Sequence, residues 1–177
     1  MAQILLVVAC SAACVLLSDG VADLLVKPSV GRWRPCNDPI YKYAIKVVTG
    51  VHSSDYGFFS AHASNTFSIA LFFCLLVRDR VLSVMLVLWS LVNCYTRMYL
   101  GLHYPLDILC GLAWGGIVGG GVYFVYTKIR QRMSAAAGFV STQYTSTGYS
   151  FQYVDIVVAT LVATFVYSVI RAVLIYD

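Results

Sequence analysis

The sequence predicts an all-α fold, a polytopic membrane bundle of about five transmembrane helices. Hydrophobic residues make up 60% of the 177 residues and charged residues only 11%, whereas about a quarter of the residues are charged in an ordinary soluble domain. Apolar runs close to the roughly 20 residues that cross a bilayer recur along the chain. The polar segments between them are short, so we expect a single domain over residues 1–177 with little mass outside the membrane.

The predicted spans are bounded by polar or turn-forming residues: 3–26, 61–77, 81–100, 105–127 and 154–176. The first carries Asp19 and Asp23 near its end and lacks a preceding basic segment, so we interpret it as a retained span rather than a signal peptide. Acids within a membrane need partners. We therefore expect these two carboxylates to bond to neighbouring helices or to basic side chains.

The connections determine which span ends share a membrane face. Residues 27–60 are rich in proline and glycine and form a polar loop. Arg78-Asp79-Arg80 is too short for anything but an antiparallel helix hairpin. Residues 101–105 end in Pro105, which suits the first turn of a helix. Residues 27–60 and 97–105 are thus predicted to lie on one face, and 78–80 on the other.

Two further segments have distinctive compositions. Glycines at 115, 116, 119, 120 and 121 predict close helix packing in the fourth span. Residues 133–152 are rich in small and hydroxylated residues, and predict a flexible connector.

His103 and Asp107 stand four residues apart at the start of the fourth span, which places them on one helix face. The carboxylate can accept a proton from one imidazole nitrogen and leave the other as a nucleophile or base. On its own, this spacing is more often a structural hydrogen bond than a catalytic pair.

Three cations, Lys27, Arg34 and Arg97, are predicted to reach the same face. They exceed what one carboxylate needs, and such an excess suits a phosphoryl group whose charge is stabilised by fixed donors. The alternative for Lys27 and Arg34 is snorkelling to lipid head groups.

Ser60 and the Ala61 amide precede the second span, and the free amides of a helix N-terminus favour an anion. His62 follows directly and can act as a general acid on a leaving oxygen. The alternative for His62 is a capped helix at the membrane interface.

These stretches resemble the type 2 phosphatidic acid phosphatase family, whose signature is K-x6-RP, PSGH and SR-x5-H-x3-D. The first part is matched completely by residues 27–35, the second with two changes by residues 59–62, and the third with one change by residues 96–107. Phe59 stands in place of proline, Ala61 of glycine and Thr96 of serine. The Ala61 methyl restricts the approach of phosphate, which concerns substrate choice more than activity.

Members of this family commonly have six spans, with two before the first motif, whereas here one predicted span precedes Lys27. The resemblance implies a phosphohistidine mechanism without a metal ion or any other cofactor. In it, His103 is the nucleophile, Asp107 its orienting partner and His62 the acid that protonates the leaving group. The resemblance assigns phosphate binding to Lys27, Arg34, Ser60, Ala61 and Arg97.

We therefore expect an integral membrane lipid phosphatase that hydrolyses a phosphomonoester or pyrophosphate of a lipid. In a bacterial inner membrane with the site facing the periplasm, undecaprenyl pyrophosphate, phosphatidylglycerol phosphate, phosphatidic acid and lipid A phosphate are all candidates. Both faces carry basic residues, so charge alone does not decide the orientation. The alternatives are a phosphotransferase with the same intermediate and a non-catalytic binder of anionic lipids.

Membrane lipids and a lipid phosphate are the expected partners, and the oligomeric state stays open. The sequence contains no basic run with interleaved aromatics, so a nucleic-acid partner is not expected. The six cysteines include no C-x-x-C pair, so neither a disulfide framework nor a cysteine metal site is predicted.

Overall fold

The computed structural model describes residues 2–43, 56–133 and 143–176. These ranges hold no β-strand, only two isolated bridges, so the predicted all-α fold is confirmed. The helices are α1 (Ala2–Asp19), a π-helical segment (Gly20–Val26), α2 (Lys27–Val30), α3 (Ala61–Val77), α4 (Arg80–Tyr99), α5 (Pro105–Met133) and α6 (Phe151–Tyr176).

Four helical segments are long and apolar enough to cross a membrane, namely Ala2–Val30, Arg80–Tyr99, Pro105–Met133 and Phe151–Arg171. The remaining predicted span, α3, has 17 residues and rises about 25 Å. It lies at the centre of the bundle, against α1, α4 and α5. The chain is thus an integral membrane protein whose shortest span is its innermost helix.

The first helical segment continues beyond its predicted end. We expected the span to end at residue 26 and Lys27 to open a loop, but Lys27–Val30 is helical and Gly31 ends it with a φ of 59°. Pro28 lacks an N–H and its ring crowds the preceding turn of a helix. The π-helical segment directly before α2 has wider turns, which explains why the chain stays helical.

The predicted hairpin between the second and third spans is present. Arg78 ends α3 in a left-handed conformation with a φ of 56°. Asp79 then caps α4, because its side chain accepts a hydrogen bond of 2.8 Å from the Leu82 amide. Two residues therefore separate these antiparallel helices.

Helices α3 and α5 pack with their backbones in direct contact. A Cβ added at Gly111, Gly115 or Gly119 would lie 2.6, 2.5 or 2.5 Å from a backbone carbonyl oxygen of α3. The three carbonyls belong to Ser60, Ser64 and Ser68. Both sets repeat every four residues, so two small-residue faces meet along parallel helices.

The expectation that the glycine cluster permits close packing is confirmed for Gly115 and Gly119. Gly120 and Gly121 face open space, where an added Cβ would meet nothing within 4 Å. Gly111 was not part of the prediction, because it stands apart from the cluster and only its register with Ser60 reveals its role.

Polar side chains on α3 bond to the helices on either side. Asn65 donates to the Asp19 carboxylate at 2.7 Å, and Ser68 accepts from Ser18 at 3.3 Å. Asp23 pairs with Lys27 one turn along its own helical segment. The two acids of the first span therefore bond as expected, one to a neighbouring helix and one to a lysine.

The segment before α6 is ordered where the structure describes it. Of the predicted connector, residues 134–142 lie outside the described ranges. Beyond them, the Thr147 hydroxyl donates to the Val77 carbonyl at 2.8 Å, and the Thr145 amide donates to the Tyr149 carbonyl at 2.7 Å. This turn therefore holds the start of α6 against the end of α3.

We predict that Gly115→Ala destabilises the protein by about 1–3 kcal/mol, because the new methyl group meets backbone rather than a movable side chain. Thermal unfolding in detergent measures the loss. Gly120→Ala is the matched control in the same helix and should not lower the transition, because its methyl group meets open space and alanine favours the helix over glycine. Equal transitions for the two variants would contradict the packing described here.

Candidate active site

The three motif segments meet at one end of the bundle. Because α3 and α5 are parallel, their N-termini lie side by side, and the Ser60 amide donates to the Asp107 carbonyl at 3.1 Å. The segment after α2 joins them where the Cys36 amide donates to the Gly101 carbonyl at 3.0 Å. The loop before α3 completes the arrangement.

His103 lies in the turn between α4 and α5 and is only 4% exposed. Its Nδ1 lies 2.8 Å from the Gly57 carbonyl oxygen, and its Nε2 lies 3.2 Å from Nη1 of Arg34. A carbonyl oxygen only accepts hydrogen bonds, so Nδ1 carries the proton of the neutral ring. The lone pair is then on Nε2, which faces the guanidinium.

Asp107 is fully buried and lies close to His103 without bonding to it. Its Oδ2 is 3.8 Å from His103 Nδ1, too far for a hydrogen bond. Oδ2 instead accepts from the Tyr104 amide at 2.9 Å, in the manner of an acidic residue in a capping box. The proton acceptor that the sequence assigned to Asp107 is, in this structure, the carbonyl of Gly57.

Oδ1 of Asp107 accepts a hydrogen bond of 2.9 Å from Nη1 of Arg32. The sequence alone offers Arg32 a lipid head group or the nearby Asp38 as a partner. Asp38 instead accepts from the Tyr104 hydroxyl at 3.1 Å. The ion pair with Asp107 joins residues 75 positions apart, and no local pattern in the sequence indicates it.

Arg34 is 8% exposed, and its Nη1 also contacts the Leu102 carbonyl at 3.3 Å. Burial lowers the pKa of the Arg34 guanidinium below its usual range, yet an arginine stays charged at any physiological pH. Gly57 makes room for this arrangement, since an added Cβ would lie 2.9 Å from Arg34 Cγ.

His62 is exposed on the first turn of α3. Lys27, Arg97 and His103 all lie within electrostatic range of its ring, as does Asp19. Residues of all three motifs therefore lie near one another at this end of the bundle.

Arg97 in the last turn of α4 forms no ion pair within the described ranges. Its Nε is buried and has no hydrogen-bond partner there. A buried charged donor without a partner is costly unless an anion supplies one. Arg97 is therefore suited to receive an anionic ligand.

The N-terminus of α3 adds backbone donors. Ser60 is fully buried; its hydroxyl accepts from the Ala63 amide at 3.3 Å, and its carbonyl from the Ser64 amide at 3.1 Å. Within the part of the chain that the structure describes, no hydrogen bond occupies the amides of Ala61 and His62. Two free amides and the positive end of the helix dipole favour an anion at this position.

No group of three or more histidine, cysteine or acidic side chains suited to a metal ion occurs in residues 2–43, 56–133 and 143–176. The arrangement does hold an imidazole whose Nε2 carries a lone pair, a second imidazole and a set of anion donors. It is chemically suited to phosphoryl transfer.

A family model described as the PAP2 superfamily matches residues 3–131, which include every site residue named above. The chain belongs to this superfamily. The membership agrees with the family resemblance that the three motifs indicate.

Three curated relatives of this PAP2 protein are named as lipid A phosphatases. Lipid A 4'-phosphatase of Bacteroides thetaiotaomicron is 41% identical over 67% of this chain and 53% of its own length. Lipid A 4'-phosphatase of Porphyromonas gingivalis is 37% identical over 70% of this chain and 52% of its own length. Lipid A 1-phosphatase of Rhizobium etli is 34% identical over 55% of this chain and 41% of its own length. The chain thus spans about half the length of the curated relatives it matches. No solved structure matches it.

Burial lowers the pKa of His103 below its usual 6.5, and the charge of Arg34 acts in the same direction, whereas Asp107 raises it. Below pH 6.5 the unfolded chain therefore binds a proton at His103 more readily than the folded protein does. We predict that stability is complete above pH 6.5 and falls below it, and that His103→Gln weakens this dependence. The measurement is the midpoint of thermal unfolding as a function of pH, from below to above 6.5. An identical pH dependence of the midpoint in the wild type and in His103→Gln would contradict the prediction.

Proposed function

We propose that this protein is a membrane lipid phosphatase that acts through a phosphohistidine at His103. The observation that carries the proposal is that each ring nitrogen of His103 has its own partner. Nδ1 is fixed on the Gly57 carbonyl, and Nε2 faces Arg34 at 3.2 Å. The neutral ring is thus held in the tautomer whose nucleophilic nitrogen faces a phosphate-binding cation.

In the first step Nε2 of His103 forms a bond to phosphorus while the bond from phosphorus to the lipid oxygen breaks. His62 donates its proton to that oxygen as the lipid alcohol leaves. In the second step water attacks phosphorus, His62 takes up a proton from the water, and the P–N bond breaks. Inorganic phosphate and the original imidazole are the products.

Charge builds up on the phosphoryl oxygens during both steps, and fixed donors stabilise it. Arg34 and Arg97 supply guanidinium groups, and Lys27 supplies an ammonium group. The amides of Ala61 and His62 supply backbone donors at the start of α3. The buried Ser60 fixes this helix end in place by bonding to Ala63 and Asp107.

We propose a phosphomonoester of the lipid A type as the substrate. The names of the relatives support this, because three of them, 34–41% identical to this chain, are lipid A phosphatases. A lipid substrate also suits the position of the site, at the end of a bundle whose flanks are apolar. The sugar-borne phosphate would reach the cations while the acyl chains stay in the bilayer.

We further propose a bacterial inner membrane, with the site facing the periplasm. On the site face, Lys27 and Arg32 are paired with Asp23 and Asp107. The opposite face carries Arg78, Arg80, Lys128, Arg130 and Arg132 at helix ends. The short basic segments of this second face fit the cytoplasmic side under the positive-inside rule.

We predict that His103→Ala lowers phosphate release at least about 1,000-fold, because the nucleophile is lost. Release by the wild type should be unchanged by EDTA and should proceed through an acid-labile phosphoprotein. His52→Ala, a histidine outside the described residues and the motifs, is the control and should remain active. Normal activity of well-folded His103→Ala protein would contradict the mechanism.

We predict that lipid A is hydrolysed with a higher kcat/KM than phosphatidic acid, phosphatidylglycerol phosphate or undecaprenyl pyrophosphate. Phosphate release from each lipid in the same detergent is the measurement. A phosphorylated acceptor in place of free phosphate would identify a phosphotransferase. Tight binding of lipid A without turnover would identify a non-catalytic binder.

A further inference from the structure

Arg32 belongs to none of the residues assigned above, yet it contacts both groups that flank His103 Nδ1. Its side chain donates to Oδ1 of the fully buried Asp107 at 2.9 Å. Its carbonyl accepts a hydrogen bond of 2.9 Å from the amide of Gly57, whose own carbonyl holds His103. Arg32 thus bonds both to Asp107 and to Gly57. The carboxylate of the first and the carbonyl of the second are alternative acceptors for the proton on His103 Nδ1.

We infer that Arg32 is a positioning residue that holds Asp107 as an ion pair and leaves His103 Nδ1 to the Gly57 carbonyl. The inference rests on the proposed function, since it specifies how the nucleophile of that reaction is kept neutral. A buried carboxylate without a partner is strongly unfavourable. Without Arg32, Oδ1 of Asp107 would lose its ion pair, and the carboxylate would be free to turn toward His103 Nδ1, which lies 3.8 Å from its Oδ2.

Two contacts fix the position of the Arg32 guanidinium. It pairs with Asp107 and lies 4.5 Å from the centre of the Tyr104 ring, a cation–π arrangement. The Tyr104 amide donates to the other carboxylate oxygen of Asp107, and the Tyr104 hydroxyl is held by Asp38. Arg32, Asp107 and Tyr104 therefore form a closed set of contacts.

The consequence for His103 is electrostatic. An isolated carboxylate within 4–6 Å stabilises an imidazolium and raises its pKa by roughly one to three units. In the ion pair, the charge of Arg32 offsets that effect, so the ring loses its proton more readily. Among the described residues, Arg34 lies at Nε2 and Asp107 lies 3.8 Å from Nδ1. His62 on α3 interacts electrostatically with the ring, and Lys27 and Arg97 interact in the same way with His62.

The test is the pH dependence of kcat/KM for Arg32→Gln, because only the neutral imidazole attacks phosphorus. We expect the acid limb of the profile to move upward by roughly one to three pH units relative to the wild type. Arg32→Lys, which keeps a positive charge, should leave most of the limb in place. Arg130→Gln removes a charge at the opposite face and should not move the limb.

An equal loss of rate at every pH in Arg32→Gln would overturn the inference and leave Arg32 with a merely structural role. Should Arg32→Gln fail to fold, Tyr104→Leu removes the ring beneath the guanidinium, and an unmoved limb in that variant would likewise overturn it. Titration of 15N-labelled histidines by NMR reads the His103 pKa without turnover. Absence of phosphate release by the wild type would therefore count against the proposed function, while the NMR shift would still decide the role of Arg32.

Discussion

The whole site depends on the backbone contact between α3 and α5. Between helices in a membrane there is little hydrophobic driving force, so association relies on close packing and hydrogen bonds. Gly111, Gly115 and Gly119 let the two backbones approach so closely that no side chain fits between them. The contact also fixes the register, because one-turn steps on both helices keep glycine opposite serine over two turns.

Register at this contact is what places the chemistry. The same parallel packing that sets Gly111 against Ser60 also lets the Ser60 amide reach the Asp107 carbonyl. His62 follows Ser60 on one helix, and His103 precedes Asp107 on the other. A slip of one turn, about 5.4 Å, would separate His103 from His62 and from the free amides at the start of α3. The packing of α3 against α5 in the membrane therefore also determines the geometry of the site at the membrane surface.

The helices and the grouping of the motifs on one face can be predicted from the sequence, because the patterns that indicate them are local. Apolar runs predict the helices, the three-residue segment at Arg78 predicts a hairpin, and chain direction then places the motifs on one face. The contacts of His103 and Asp107 are different, since the Gly57 carbonyl bound by His103 and the Arg32 guanidinium bound by Asp107 come from distant segments of irregular backbone. Their positions depend on how the segment after α2 folds over the helix ends. The π-helical segment before Pro28 was missed for a related reason, because proline there predicts an end and tertiary packing overrides it.

The placement of His103 outside any helix has a physical rationale. A histidine within a membrane helix would have its backbone bonds satisfied inside the helix, and its ring would depend on whatever side chains lie beside it. In the turn before Pro105, His103 instead bonds to a loop carbonyl and faces a loop guanidinium. The carboxylate one turn further on is bound by the Tyr104 amide and by Arg32. Each group that would otherwise compete for His103 Nδ1 thus has a partner of its own, and Nε2 keeps its lone pair directed toward the space that the cations surround.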